Sequence, residues 1–297
     1  MRGALESAAV AINNNGQISG MLGYPEAIQA FRLDEHRMTT FANWPGHNIS
    51  YVADMNDEGT IVGVAGLNPE IKSPFIIQGG RLENLADLFP ATRTYFRGIN
   101  NRGEVAGGYS ADPNQNYWTA FIYSNGVIRL LPSLGSRGFS IANAINDLGV
   151  AVGFSAGRAV VFSGEDVIPL DFASSAEAIN DRGSVVGVVA GRPFLYRQGM
   201  VTDLGLLPGS ASAVPTAINN LDMVVGTAQI SGDESLPFLY LDGTLYDLND
   251  LVQPQAHWVL SVANDINDRG EIVGYGMHKG VMRAFRLTPT QFWATTD

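Results

Sequence analysis

The 297-residue chain contains no cysteine. Disulfide staples, thiolate metal sites and thiol catalysis are therefore excluded, whatever the compartment. Cations are also scarce: Lys and Arg total 18 against 29 Asp and Glu, for a net charge of −11 and a pI near 4.7. They do not cluster, so the electrostatic footprint of a nucleic-acid partner is missing, and an anionic membrane surface is disfavoured for the same reason. No apolar run approaches the roughly 18 residues of a membrane span. Helix-period stretches of useful length and low-complexity linkers are lacking too. The first residues, Met1-Arg2-Gly3-Ala4-Leu5-Glu6, do not show the basic region and apolar stretch of a secretion signal. Two catalytic signatures are absent as well: there is no His-Glu-x-x-His pair and no phosphate-cradling Gly-x-x-x-x-Gly-Lys loop.

What the chain does have is glycine (34) and proline (14) within a 45% apolar composition, which fits a turn-rich all-β fold. It also has a repeat. Asp265-Ile266-Asn267-Asp268-Arg269-Gly270-Glu271-Ile272-Val273-Gly274 has six relatives, centred on Asn13, Asn56, Asn100, Asn146, Asn180 and Asn219. In all seven copies Asn is followed by Asn or Asp, and in six of them Gly stands three places after the first Asn. The exception is Asp222, a residue type that tolerates the left-handed region. An apolar run precedes each tetrad and another follows it. This is a hairpin signature: the Asn binds its own turn and Gly supplies positive φ. A second Gly closes the following strand in every copy (20, 63, 107, 153, 187, 226 and 274), as close approach of a neighbouring backbone requires.

The first Asn of successive copies recurs every 34 to 48 residues, a period of about 42, the length of a four-stranded propeller unit. Each copy continues with a small residue or Pro before an apolar one (Ala30-Phe31, Pro74-Phe75, Ala120-Phe121, Ala159-Val160, Pro193-Phe194, Pro237-Phe238, Ala284-Phe285); a tight turn usually follows, then in five copies a short strand ending in Leu, with His36–Phe41 a weaker equivalent in the first. Four strands per copy, a to d, predict a single domain over residues 1–297. The expected architecture is a seven-bladed β-propeller of four-stranded blades, strand a starting near residues 8, 51, 95, 141, 175, 214 and 261. The last copy shows no strand d. Arg2–Glu6 is expected to complete it beside Val281–Leu287, with Gln291–Thr296 as the competing candidate.

Ala-Ile-Asn-Asp-x-Gly-x-Val-Val-Gly, then Ala-Phe, then Asp-Leu-Gly as at Asp203-Leu204-Gly205, resembles the bacterial HAF-type extracellular repeats, and the resemblance covers essentially the whole chain. It implies a secreted or cell-surface protein. It implies no agreed activity, so it carries over fold rather than catalytic residues.

The Asn tetrads read as architecture. Asp54-x-Asn56-Asp57-x-Gly59 and Asp265-x-Asn267-Asp268-x-Gly270 superficially resemble calcium loops. They lack an oxygen ligand at position 12, where Ala65 and Gly276 stand, so no metal and no cofactor is expected. The b–c and d–a loops vary in length and emerge together on the opposite face, which reads as function on a scaffold. They gather Trp44, Trp118 and Trp258, with Tyr95 and Tyr117 and the histidines His47, His257 and His278. Glu26, Glu70, Asp112, Asp233 and Glu234 make that rim acidic. Aromatic platforms with a few polar groups suit an extended glycan or peptide/protein ligand, neutral or cationic. A monomeric binding module is the expectation. The alternatives are a polysaccharide-acting lyase or hydrolase, with His and carboxylates at the channel mouth, and a purely structural surface protein.

Overall fold

The computed structural model describes the chain except residues 1–2, 42–46, 67–72, 90–92, 111–116, 136–138, 231, 233, 254–255 and 291–297. The described residues form 27 strands and two short 3-10 turns, and none of their helices is long and apolar enough to cross a membrane. The strands leading into the Asn turns are Glu6–Ile12, Ile49–Met55, Arg93–Ile99, Ser140–Ile145, Ser175–Ile179, Ser212–Ile218 and Trp258–Ile266.

All seven turns share one geometry. The Asn N–H donates to the carbonyl four residues on, and the N–H of the residue three places after Asn returns to the Asn carbonyl. That last residue lies in the left-handed region throughout, with φ +72° to +79° at the six glycines and 60° at Asp222. The second glycine of each copy lies beneath its paired strand. At Gly226 an added Cβ would collide with the Val214 carbonyl and the Phe238 ring. Removing that Cβ lets the third-strand aromatic lie flat over the hairpin.

Seven apolar clusters form, each between one repeat and the next. Val62 with Phe96 and Phe121 joins the second to the third, and Val273 with Ile12, Ile18 and Phe31 joins the last to the first. One sheet cannot bury both faces alone, so each repeat depends on its neighbours.

The expectation of seven separate four-stranded blades is overturned by the strand pairing. The described residues form six sheets: one of eight strands, four of four strands and one of three. The first two repeats merge because Ile28 N–H donates to the Asn48 carbonyl, which draws Ile49 alongside Ile28 as a parallel bridge. The last sheet, Trp258–Ile266, Ile272–His278 and Val281–Leu287, has three strands among the described residues, and no strand ladder among them ties it to another sheet. The expected closure by the N-terminus also fails. Leu5 N–H donates to the Gly23 carbonyl, continuing the pairing of Glu6–Ile12 with Ile18–Tyr24. The segment touches the last repeat through side chains only: Ala284 N–H donates to Ser7 Oγ, and Arg283 Nη1 donates to the Leu5 carbonyl. Among the described residues no strand ladder joins Glu6–Ile12 to Val281–Leu287. Gln291–Thr296 lies outside the described residues.

Candidate binding site on the axial channel

The Asn turns converge on one mouth of a central channel. Each Asn is buried, with 3–4% of its surface exposed. Its Oδ1 accepts N–H bonds within its own turn, as from Arg182 and Ser184 at Asn180. Its Nδ2 reaches the main-chain carbonyl of the next Asn, in the order 13, 56, 100, 146, 180, 219, 267 and back to 13, at 2.9–3.1 Å. The following residue repeats the device one step further out. Its N–H donates to the side-chain Oδ1 of its counterpart, from Asn14 to Asp57 and round to Asp268, which donates to Asn14. Three amides sit among four carboxylates here: Asn101 Nδ2 bridges Asp57 and Asp147, and Asn220 Nδ2 bridges Asp181 and Asp268. This mouth is saturated by its own hydrogen bonds, so its polar groups are architectural.

Three residues before each Asn, the inner strand carries a β-bulge. The pairing skips Val10, Ala53, Arg97, Asn143, Glu177, Thr216 and Asn264. A bulge frees a residue from the ladder and re-aims its side chain, and all seven line the channel. Three of them bridge to the next repeat: Asn143 Nδ2 to Ala176 O, Thr216 Oγ1 to Ala263 O, and Asn264 Nδ2 to Ala9 O, at 2.7–3.0 Å. The sequence reading missed this set. Its signal was a position that ranges from Val to Arg to Glu inside an otherwise uniform strand.

One residue further on, Asp54 and Asp265 face the same channel. Asp54 Oδ2 accepts from Ile99 N–H and Asp265 Oδ2 from Ile12 N–H, both at 2.8 Å. Each has some channel-facing surface but lies deep within the protein. Burial raises Asp54 to about 6 against two backbone hydrogen bonds. Burial and then the Asp54 charge raise Asp265 to about 8. Among the described residues, no three His, Asp or Glu side chains converge to hold a metal ion.

Away from the Asn turns, where the inner strands begin, lies an aromatic run. Tyr95 meets Trp118 with ring centroids 5.1 Å apart, Trp118 meets Phe139 at 6.4 Å, and Phe139 stacks on Phe154 at 5.0 Å. The exposed Arg97 places its guanidinium 5.5 Å from the Tyr95 ring centre. Trp118 is only 8% exposed, so it holds Tyr95 and Phe139 in place more than it presents a face. Tyr117 beside it is 51% exposed. Trp258 begins an inner strand rather than sitting in a loop, and its ring stacks on His278 at 4.7 Å. His257 is exposed, with φ 54°. His47 Nδ1 is buried without a hydrogen-bond partner among the described residues. Trp44, Glu70, Asp112 and Asp233 lie outside the described residues. The structure thus joins Tyr95 and Trp118, and separately Trp258 and His278. No histidine lines the channel beside Asp54 and Asp265, so the convergence that the lyase or hydrolase alternative needs is not formed among the described residues.

No family model matches this chain, and no curated protein matches it. Solved structures do. The β-propeller domain of the Trilobed protease from Pyrococcus furiosus, described as having an open velcro topology, aligns with TM-score 0.55 at 13% identity over 84% of this chain and 82% of that one. A puromycin-hydrolyzing peptidase from Mycobacterium tuberculosis aligns with TM-score 0.62 at 14% identity, over 98% of this chain and 53% of the peptidase. A chain of the Mitotic Checkpoint Complex aligns with TM-score 0.55 at 10% identity, over 94% and 89%. The fold is that of a β-propeller module. At such identities the likeness extends to the fold alone.

Proposed function

We propose that this chain is a binding module of the HAF-type repeat kind, acting outside the cell or at its surface, that takes an extended glycan or peptide/protein ligand on the face away from the Asn turns. The observation that carries this reading is the Tyr95–Trp118–Phe139–Phe154 run with Arg97 beside it. Aromatic faces bind sugar rings and apolar side chains over a large area at small entropic cost, and an exposed guanidinium adds a directional donor. The opposite mouth offers no comparable unsatisfied surface. A run spanning the third and fourth repeats suits a chain-like ligand better than a compact metabolite.

The test is a glycan and peptide array screen, followed by titration of tryptophan fluorescence with the hits. Arg97→Gln and Tyr117→Ala, both at exposed positions, are expected to weaken binding by at least threefold each while leaving the thermal melt in place. Unchanged affinity in the double variant would refute this location.

A further inference from the structure

Six repeats end in the same way. Their outer strand delivers one buried Phe or Leu against the small residue or Pro that opens the third strand: Phe41, Leu85, Leu131, Leu170, Leu204 and Leu248. Three positions earlier each outer strand carries an apolar residue, as Leu82 opposite Ile77 and Leu245 opposite Tyr240. The last repeat has the receiving half of this arrangement. Its third strand, Val281–Leu287, pairs on one side only among the described residues. Ala284, where the Leu would seat, is partly exposed, whereas Ala30, Pro74, Ala120, Ala159, Pro193 and Pro237 are all buried. Phe285 is 7% exposed, against 0–2% for its counterparts.

One ion pair supplies a charge model for this edge. Arg192, two residues before Phe194, pairs with Asp203 of its own outer strand at 2.9 Å, whereas Arg158 pairs with Asp171, which lies just past the outer strand and after Leu170. Arg283 occupies the register of Arg192 before Phe285, with its guanidinium on the Leu5 and Met282 carbonyls, and Arg286 is exposed on the same strand.

We propose that the outer edge of Val281–Leu287 is a docking site for an extended segment of another protein, which adds antiparallel as a fourth strand and carries the pattern apolar-x-Asp-Leu found at Val201–Leu204 and Leu245–Leu248. An unpaired edge is a template for strand addition, and pockets for alternate side chains give such additions their specificity. The Leu fills the notch over Ala284, and the Asp meets Arg283 as Asp203 meets Arg192. A second copy of the chain is a poor occupant: its own open edge reads Val-Met-Arg-Ala-Phe-Arg-Leu, and arginines would face arginines.

The experiment uses a fluorescein-labelled peptide copying Gly199–Gly205, titrated with the full chain and read by anisotropy. Saturable binding is expected. The Leu204→Ala peptide should bind at least tenfold more weakly, as loss of a buried Leu dictates. The Asp203→Asn peptide should bind more weakly at low salt and converge with the parent peptide at high salt. In the chain, Ala284→Phe should fill the notch and abolish binding; should that variant not fold, the peptide series decides. Absence of saturable binding overturns the proposal, as does indifference to Leu204→Ala. Binding that appears only after removal of residues 291–297 also overturns it, since the chain's own tail would then hold the edge.

Discussion

Replacing Asn180 separates two accounts of the repeat. If the Asn serves only its own turn, the acceptor Oδ1 is what matters, and Asp is an adequate substitute. The structure gives Asn180 more to do. Its Oδ1 accepts from Arg182 and Ser184, and its Nδ2 donates to the Asn219 carbonyl and Asp222 Oδ1, each at 2.9 Å. Asn180→Ala orphans the buried Ser184 N–H and strips donors from the neighbouring repeat. With ~1–3 kcal/mol for a buried orphan and about 1 kcal/mol for each further bond, the loss is about 3–5 kcal/mol. Asn180→Asp keeps the acceptor but sets a carboxylate oxygen against a carbonyl and the Asp222 carboxylate. At neutral pH it should cost about as much as breaking a buried pair, roughly 3–5 kcal/mol. The new carboxyl would titrate above its unfolded value, so stability returns as pH falls through that raised value. Urea unfolding followed by tryptophan fluorescence at pH 7 and pH 4.5, with unchanged slope, measures both. An Asn180→Asp protein within about 0.5 kcal/mol of the parent at pH 7 would refute the inter-repeat role.

The channel acids predict a pH dependence. Asp54 and Asp265 are held at about 6 and about 8 in the folded chain. The folded state therefore binds protons more tightly than the unfolded one, and stability falls as pH rises from about 4, the ordinary carboxylate value. Asp265→Asn retains an oxygen for the Ile12 N–H and removes the upper part of that fall, with Asp54, Glu177 and Arg97 still lining the channel. Its stability profile should be flatter than the parent's between pH 6 and 8, and parallel profiles would contradict this. Gly226→Ala should destabilise by about 3 kcal/mol, the upper end of the range for overpacking, because the colliding carbonyl belongs to a fixed backbone. A melt within a degree of the parent would show that the Val214 carbonyl and Phe238 ring can move aside.

The turns were legible because their chemistry is local: Asn13 and Gly16 announce a hairpin whatever surrounds them. The second glycine was legible for a related reason, since Gly20 or Gly226 has few uses inside a strand other than close approach. What Asn13 Nδ2 binds was not legible, because its partner, the Asn56 carbonyl, is 43 residues away. The merger of the first two repeats rests on the single bridge Ile28–Ile49, and no pattern encodes one bridge. Trp118 and Trp258 are expected from the sequence on one loop face. Whether a ring presents itself or is packed away depends on Tyr95, Phe139 and His278, which are distant in sequence or uninformative alone.

The bulged positions have a consequence for how such a chain can change. In a regular strand each residue is held by two constraints, the ladder and the face it packs on. Arg97 and Glu177 escape the first and line the channel. A mutation at either rewrites the wall of the channel while the sheets, the apolar layers between repeats and the Asn turns stay as they are. The other five bulged residues are bound into the frame: Asn143, Thr216 and Asn264 hold the main chain of the next repeat, and Val10 and Ala53 pack on the apolar layers. The fold therefore holds two replaceable fittings on a frame that tolerates their exchange, so divergence in what the channel accepts can outpace divergence in what keeps the protein folded.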